Sequence, residues 1–214
     1  MKNLPIYDVL DDIKTTLNTE STLILEAPPG AGKSTVVPIS LLNESWLGNK
    51  VIIMLEPRRV AARMVAVQMA KLLGEEVGQS VGYQVKMESC YSKQTKLLVV
   101  TEAILVRKLQ SDQALEDVAM VIFDEFHERS IHTDLSLALC LQVQELLRDD
   151  LKLLIMSATL DSLELTNLLG KIPVINSKGK IYDVENIYLE TNIKQPDSKS
   201  INTLLLKITL KSIK

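Results

Sequence analysis

Short continuous apolar runs alternate with stretches of helical periodicity over most of the chain. Thr22–Leu25, Val51–Leu55, Lys96–Val100, Ala119–Asp124 and Leu151–Met156 read as buried strands, and segments 33–43, 58–73, 102–110, 133–147 and 162–169 read as helices. Strands apolar on both sides, each followed by a helix, predict an α/β fold: a mostly parallel sheet with helices on both faces. Upstream, Ile6, Val9, Leu10, Ile13 and Leu17 recur at helical spacing after Pro5, so an amphipathic helix is expected to open the chain. Pro38 falls inside the next helix and should kink or shorten it. Asp161, with Glu164 three residues later, marks a start for the helix at 162–169. Past Leu169 the pattern weakens to a β-like stretch near Val184–Leu189, a polar linker over 194–200, and Ile201, Leu204, Leu205 and Ile208 at helical spacing. One domain is therefore expected over 1–190, with 191–214 as a separate linker segment.

A length of 214 residues suits one substantial α/β domain, and 46% hydrophobic with 24% charged residues argues against wholesale disorder. The net charge of −3 divides unevenly. Residues 191–214 hold five Lys and one Asp, so they carry +4 and residues 1–190 carry −7. No strong basic field advertises nucleic acid, and any such contact must come from a local patch. Cys90 and Cys140 are far apart in sequence, which indicates neither a disulfide framework nor a zinc cluster and fits thiols in a reducing cytoplasm. The first residues lack an apolar signal core and no run reaches the length of a membrane span, so a soluble, cytoplasmic protein without membrane contact is expected.

Polar residues of chemical interest fall just after the C-terminal ends of the expected strands: 26–35, Glu56–Arg59, Thr101-Glu102, Asp124–Arg129 and Ser157–Thr159. Open α/β sheets place their ligands there. The first of these stretches, Glu26-Ala27-Pro28-Pro29-Gly30-Ala31-Gly32-Lys33-Ser34-Thr35, has the layout of a phosphate-binding loop between a strand and a helix. Gly30 and Gly32 permit a tight turn whose N–H groups, with the helix N-terminus, can hold a polyphosphate. Lys33 would add a positive charge and Ser34 a hydroxyl ligand for Mg²⁺. Ala27 stands where the pattern G-x-x-x-x-G-K-[ST] asks for its first glycine. A plain Pro/Gly turn with an ordinary surface Lys and Ser would leave the strand, the glycines, the Lys-Ser pair and the helix as coincidence.

Ala119-Met-Val-Ile-Phe-Asp-Glu125 is an apolar strand ending in two carboxylates. In nucleotide hydrolysis Asp124 would hold the Mg²⁺ shell and Glu125 would orient or deprotonate the attacking water. An acidic pair ending a strand in solvent is common by itself. It gains meaning from the phosphate loop upstream.

Asp124-Glu125-Phe126-His127-Glu128-Arg129 closely resembles the D-E-x-H box of superfamily 2 helicases, and Ser157-Ala158-Thr159 resembles their motif III. Glu56–Arg63 is similar to motif Ia, Thr101–Leu105 to motif Ib, and Gly82-Tyr83-Gln84-Val85-Lys86 to a segment of the DEAH branch. Over residues 4–190 the chain resembles the first RecA-like lobe of bacterial HrpB-type DEAH/RHA helicases, P-loop ATPases that act on RNA. The resemblance implies ATP and Mg²⁺ as cofactors and single-stranded RNA or a duplex end as partner. It implies Ala27–Thr35 around the nucleotide, Lys33 on the β/γ-phosphates, Ser34 and Asp124 at Mg²⁺, and Glu125 at the lytic water. His127, Ser157 and Thr159 would couple nucleotide state to RNA, with His127 counted among the catalytic group. Arg58, Arg59 and Thr101 would touch the RNA backbone; the residues themselves say only that two arginines stand at a helix start, where N–H groups favour phosphate. His127 and His132 also form a loose metal-like pair, without a Cys or third ligand nearby.

Three departures qualify the resemblance. Gln68 replaces an arginine that relatives often stack on the adenine, and Ala103 replaces the usual glycine of motif Ib. No arginine follows Arg148, and nothing after motif III resembles the second lobe's arginine-bearing element, so 191–214 is expected to be a linker and the truncated start of that lobe. Two other readings stay open: a nucleotide- or RNA-binding module with negligible turnover, and a small P-loop phosphotransferase, which would leave the Ser-Ala-Thr and D-E-x-H elements unexplained.

Overall fold

The structure is a computed structural model that describes residues 4–158 and 170–179. Thr159, the helix expected at 162–169 with its Asp161 start, the stretch at 184–189, and everything expected over 191–214 lie outside the described residues.

After a 3-10 turn at Pro5–Val9, the elements in chain order are α1 (Leu10–Thr19), β1 (Thr22–Glu26), α2 (Lys33–Ser40), β2 (Val51–Leu55), α3 (Arg59–Leu73), β3 (Val81–Val85), β4 (Glu88–Cys90), β5 (Leu97–Val100), α4 (Glu102–Ser111), β6 (Val118–Phe123), α5 (Ile131–Leu146), β7 (Lys152–Ser157) and β8 (Val174–Asn176). The five strands expected from apolar runs are all present. β3, β4 and β8 come in addition. α2 stops at Ser40, three residues short of the expected end, and runs through Pro38, which leaves one bond of the preceding turn unmade. α5 begins at Ile131, two residues earlier than expected, because the Ser130 hydroxyl accepts from the Thr133 N–H at 3.1 Å and caps it.

The strands form one sheet in the order β4-β3-β5-β2-β6-β7-β1-β8. Every pairing is parallel except β3 with β4, a hairpin at one edge. Side chains alternate between the two faces along each strand. Leu23, Leu25, Ile52, Met54, Met120 and Ile122 pack with residues of α1, α2 and α3 on one face. Ile24, Ile53, Leu55, Val121 and Phe123 pack with α4 and α5 on the other. Being covered on both faces is why these strands read as continuous apolar runs rather than alternating ones.

Five neighbouring strands, β5-β2-β6-β7-β1, end in the five polar stretches singled out from sequence. Backbone bonds join these ends: Glu56 N–H donates to Val100 O at 2.9 Å, Asp124 N–H to Leu55 O at 3.0 Å, and Ala27 N–H to Ser157 O at 3.0 Å. Among the described residues no helix is long and apolar enough to cross a membrane.

Candidate nucleotide site

β1 delivers the chain into the loop at Ala27, and α2 leaves it at Lys33. Ala31 N–H donates to Pro28 O at 3.1 Å, and Gly32 O accepts from Val36 N–H at 2.8 Å, so the loop closes on itself before the helix begins. Gly30 (φ 77°) and Gly32 (φ 98°) both lie in the left-handed region. A Cβ at Gly32 would in addition come within 3.0 Å of Ile6 Cγ2 and Leu4 Cδ1. Ala27 is fully buried and is not among the residues with positive φ, so this loop needs no glycine at its first position. The departure from the motif therefore costs the backbone nothing.

The Lys33 side chain is only 5% exposed, and its Nζ donates to Glu125 Oε1 at 2.7 Å. The sequence offered Lys33 as a positive charge for phosphate; in the structure it is paired with Glu125. His127 Nδ1 lies 3.4 Å from Glu125 Oε2, on the other carboxylate oxygen. Glu125 itself has φ 48°, an uncommon value for a residue with a Cβ. Phe126, next in the box, is buried against Phe123 with ring centroids 6.3 Å apart and planes at 88°. That anchor faces the core while Glu125 and His127 face the loop.

Asp124 is 1% exposed. Its Oδ1 accepts from the Glu125 N–H at 2.9 Å, whereas Oδ2 is buried without a hydrogen-bond partner. Burial is the main force pushing its carboxyl up to about 6; the Ser34 hydroxyl and the Lys33 ammonium oppose that rise, and Glu125 adds to it. The Ser34 hydroxyl is near enough to favour the carboxylate without completing a bond to Oδ2. An orphaned, buried carboxylate oxygen beside a serine hydroxyl is a donor set that suits a hard cation. Among the described residues no three His, Cys, Asp or Glu converge on a metal position, so Mg²⁺ here would depend on phosphate and water oxygens for the rest of its shell.

Sequence reasoning missed Glu56, which is 4% exposed at the end of β2. Burial, then the charges of Asp124, Glu125 and Glu128, push its carboxyl up to about 8, against Lys33. Its position at a strand end was visible; its burial among three other acids was not.

The residues expected to face RNA are spread over two neighbouring strand ends. Arg58 donates from Nη2 to Glu128 Oε1 at 2.7 Å and from Nε to Glu128 Oε2 at 3.1 Å. Arg59 Nη2 donates to Lys86 O at 3.0 Å, bracing the β3–β4 turn. Thr101 opens α4 and is only 8% exposed, which leaves little of it for a ligand. Glu102 stood in one of the strand-end stretches without a role of its own. Its Oε1 accepts from the hydroxyls of Ser130 and Thr133, both at 2.7 Å, and so ties the start of α4 to the start of α5. Ser157 is buried at the end of β7. Gln68 lines a cavity of about 750 Å³ with Arg59, Arg63, Met64, Val67 and Glu88 on the outer face of α3.

Phosphate loop, terminal acid pair and parallel sheet define a P-loop NTPase of the RecA-like kind. Residues 11–168 match the DEAD/DEAH box helicase family, and the chain belongs to it. It is 50% identical over 189 residues to the ATP-dependent RNA helicase HrpB of Escherichia coli, covering 88% of this chain and 23% of that protein. It is 36% identical over 204 residues to the ATP-dependent RNA helicase DHX29 of Mus musculus, covering 91% of this chain and 15% of the relative. The crystal structure of the E. coli DEAH/RHA helicase HrpB superposes with a TM-score of 0.87 at 45% identity, over 98% of this chain and 27% of that one. The chain thus spans about a quarter of the length of the HrpB protein it matches.

Proposed function

We propose that residues 1–190 are the ATP-binding lobe of an ATP-dependent RNA helicase, with 191–214 leading toward a second lobe, and that the protein works in the cytoplasm. The observation that carries this reading is the arrangement around the phosphate loop: Lys33 on Glu125 at 2.7 Å, with the unpartnered Oδ2 of Asp124 beside them. The relatives' names, each an ATP-dependent RNA helicase, support the choice of ATP and RNA.

In this reading Ala27–Thr35 wrap the polyphosphate, and Lys33 exchanges Glu125 for the β/γ-phosphates. Ser34 and Asp124 would hold Mg²⁺, which neutralises charge that develops on the transferred phosphoryl group. Glu125, freed from Lys33, orients the attacking water and accepts its proton, with His127 3.4 Å from its second oxygen to fix the carboxylate. His127, Ser157 and Thr159 couple this state to RNA, while Arg58, Arg59 and Thr101 meet the RNA backbone.

Titration of a fluorescent ATP analogue into the parent chain and into Lys33→Ala tests the reading. The substitution should weaken binding by about a hundredfold or more, the scale of losing a charge-assisted bond to phosphate in a closed site. Equal affinity in the two chains would remove the phosphate-loop assignment.

A further inference from the structure

Of the three cations assigned to phosphate, Lys33 and Arg58 are held by carboxylates of a single turn, and Arg59 by Lys86 O. Glu125 takes Lys33 at 2.7 Å, and Glu128 takes Arg58 through both of its oxygens at 2.7 and 3.1 Å. Residues 126–128 form a 3-10 turn closed by the Glu128 N–H on Glu125 O at 2.8 Å. Glu125, at the head of the turn, sits at φ 48°. Such a backbone persists only where its surroundings hold it, and here an ion pair grips each end of the turn. The guanidinium fork that receives the Glu128 carboxylate is the same fork that would receive two phosphate oxygens. While Glu128 holds that edge, only the Nη1 hydrogens and the second Nη2 hydrogen remain for phosphate.

We propose that Glu128 is an internal competitor for the RNA backbone, and that the 125–128 turn links the two ligands. An RNA phosphate on Arg58 displaces Glu128, ATP phosphates on Lys33 displace Glu125, and release of either end of the turn eases release of the other. The proposal rests on the assignment of Arg58 and Lys33 to phosphate given above. It adds a positioning role for Glu128 that lowers RNA affinity until nucleotide arrives. Linkage of this kind is reciprocal: each ligand raises affinity for the other by the same factor.

The test is the affinity of the 214-residue chain for a short labelled oligouridylate, read by fluorescence anisotropy with and without a saturating non-hydrolysable ATP analogue and Mg²⁺. Parent, Glu128→Gln and Glu76→Gln are compared; Glu76 is an exposed acid beyond the far end of α3, so its loss removes the same charge away from the turn. The parent should bind RNA about fivefold tighter with nucleotide, the low end of ordinary couplings. Glu128→Gln should bind RNA about three- to fivefold tighter than the parent without nucleotide, the factor set by one exposed ion pair, and nucleotide should then change little. Glu76→Gln should follow the parent. RNA affinity in Glu128→Gln at or below that of the parent, or an undiminished response to nucleotide, would overturn the proposal, as would a parent that binds both ligands independently. A parent that binds neither ligand fails at the assignment of Arg58 and Lys33 instead, which separates the two failures.

Discussion

Lys33 and Glu125 lie 2.7 Å apart, so in the proposed site ATP has to compete with a carboxylate for the lysine. Replacing Glu125 by Gln removes that competitor along with the base. Glu125→Gln should therefore bind Mg·ATP at least as tightly as the parent while hydrolysing it more slowly, by about 10² or more where general-base catalysis is lost. Equal turnover in both chains would show that Glu125 has no part in the chemistry. Glu56 gives a second expectation at this scale. Its carboxyl is raised from 4.5 to about 8, chiefly by burial, so between those values the folded chain keeps a proton that the unfolded chain has released. Stability from this group is present below 4.5 and is lost as pH rises toward 8. Glu56→Gln stays neutral throughout, so its melting temperature relative to the parent, measured without Mg²⁺ or nucleotide, should climb steadily from pH 5.5 to 8.5. A constant difference would mean that Glu56 titrates like an exposed acid. Neither ion pair nor burial could be read from the chain, since Lys33 meets Glu125 across 92 residues and Arg58 meets Glu128 across 70. The residue types and their strand-end positions were legible; who neutralises whom was not.

Among the elements, the strands that sequence reasoning found are those buried on both faces, because only these show continuous apolar runs. β4 is the three residues Glu88-Ser89-Cys90 with two of them exposed, and β3 carries a glycine, so neither has the signature. The hairpin is held by pairing and by close approach. A Cβ at Gly82 would fall 2.7 Å from Cys90 O and 2.7 Å from Tyr91 Cβ, both on the neighbouring segment. Backbone there has to shift, since no side chain can rotate away, and overpacking of this kind costs about 1–3 kcal/mol. Gly82→Ala should lose that much stability in a denaturant titration, and an unchanged midpoint would show that the β4 edge moves freely. The same hairpin receives Arg59 on Lys86 O, so one of the three motif Ia arginines serves the fold as well as any ligand. α2 differs again: it carries Pro38 within its eight residues and ends before its periodicity does.

At the scale of the whole molecule, alternation of strand and helix was enough to give a parallel sheet covered on both faces. It could not give the order β5-β2-β6-β7-β1, which is what gathers five distant motifs along one edge. In the proposed reading that edge supplies one side of an ATP site, with the phosphate loop, Asp124 for Mg²⁺ and Glu125 for the attacking water. Three described arginines are already held by other groups. Arg58 is held by Glu128 and Arg129 by Asp134, while Arg148 donates to Leu115 O at 2.6 Å and Val118 O at 3.1 Å as well as to Asp150. No arginine follows it in these 214 residues. An arginine that stabilises the transferring phosphoryl group is worth on the order of 10³–10⁵ in rate, and duplex unwinding needs two bodies that open and close over nucleotide.

Steady-state phosphate release from the purified chain, with and without RNA, tests the proposal that this lobe holds Mg·ATP but lacks a group that completes the site. The Lys33→Ala chain serves as the control for contaminating ATPase. The account predicts turnover far below about 1 s⁻¹, the lower end of ordinary enzyme rates, with or without RNA. RNA-stimulated release at about 1 s⁻¹ or faster, abolished by Lys33→Ala, would contradict it and require that the chain complete its own site.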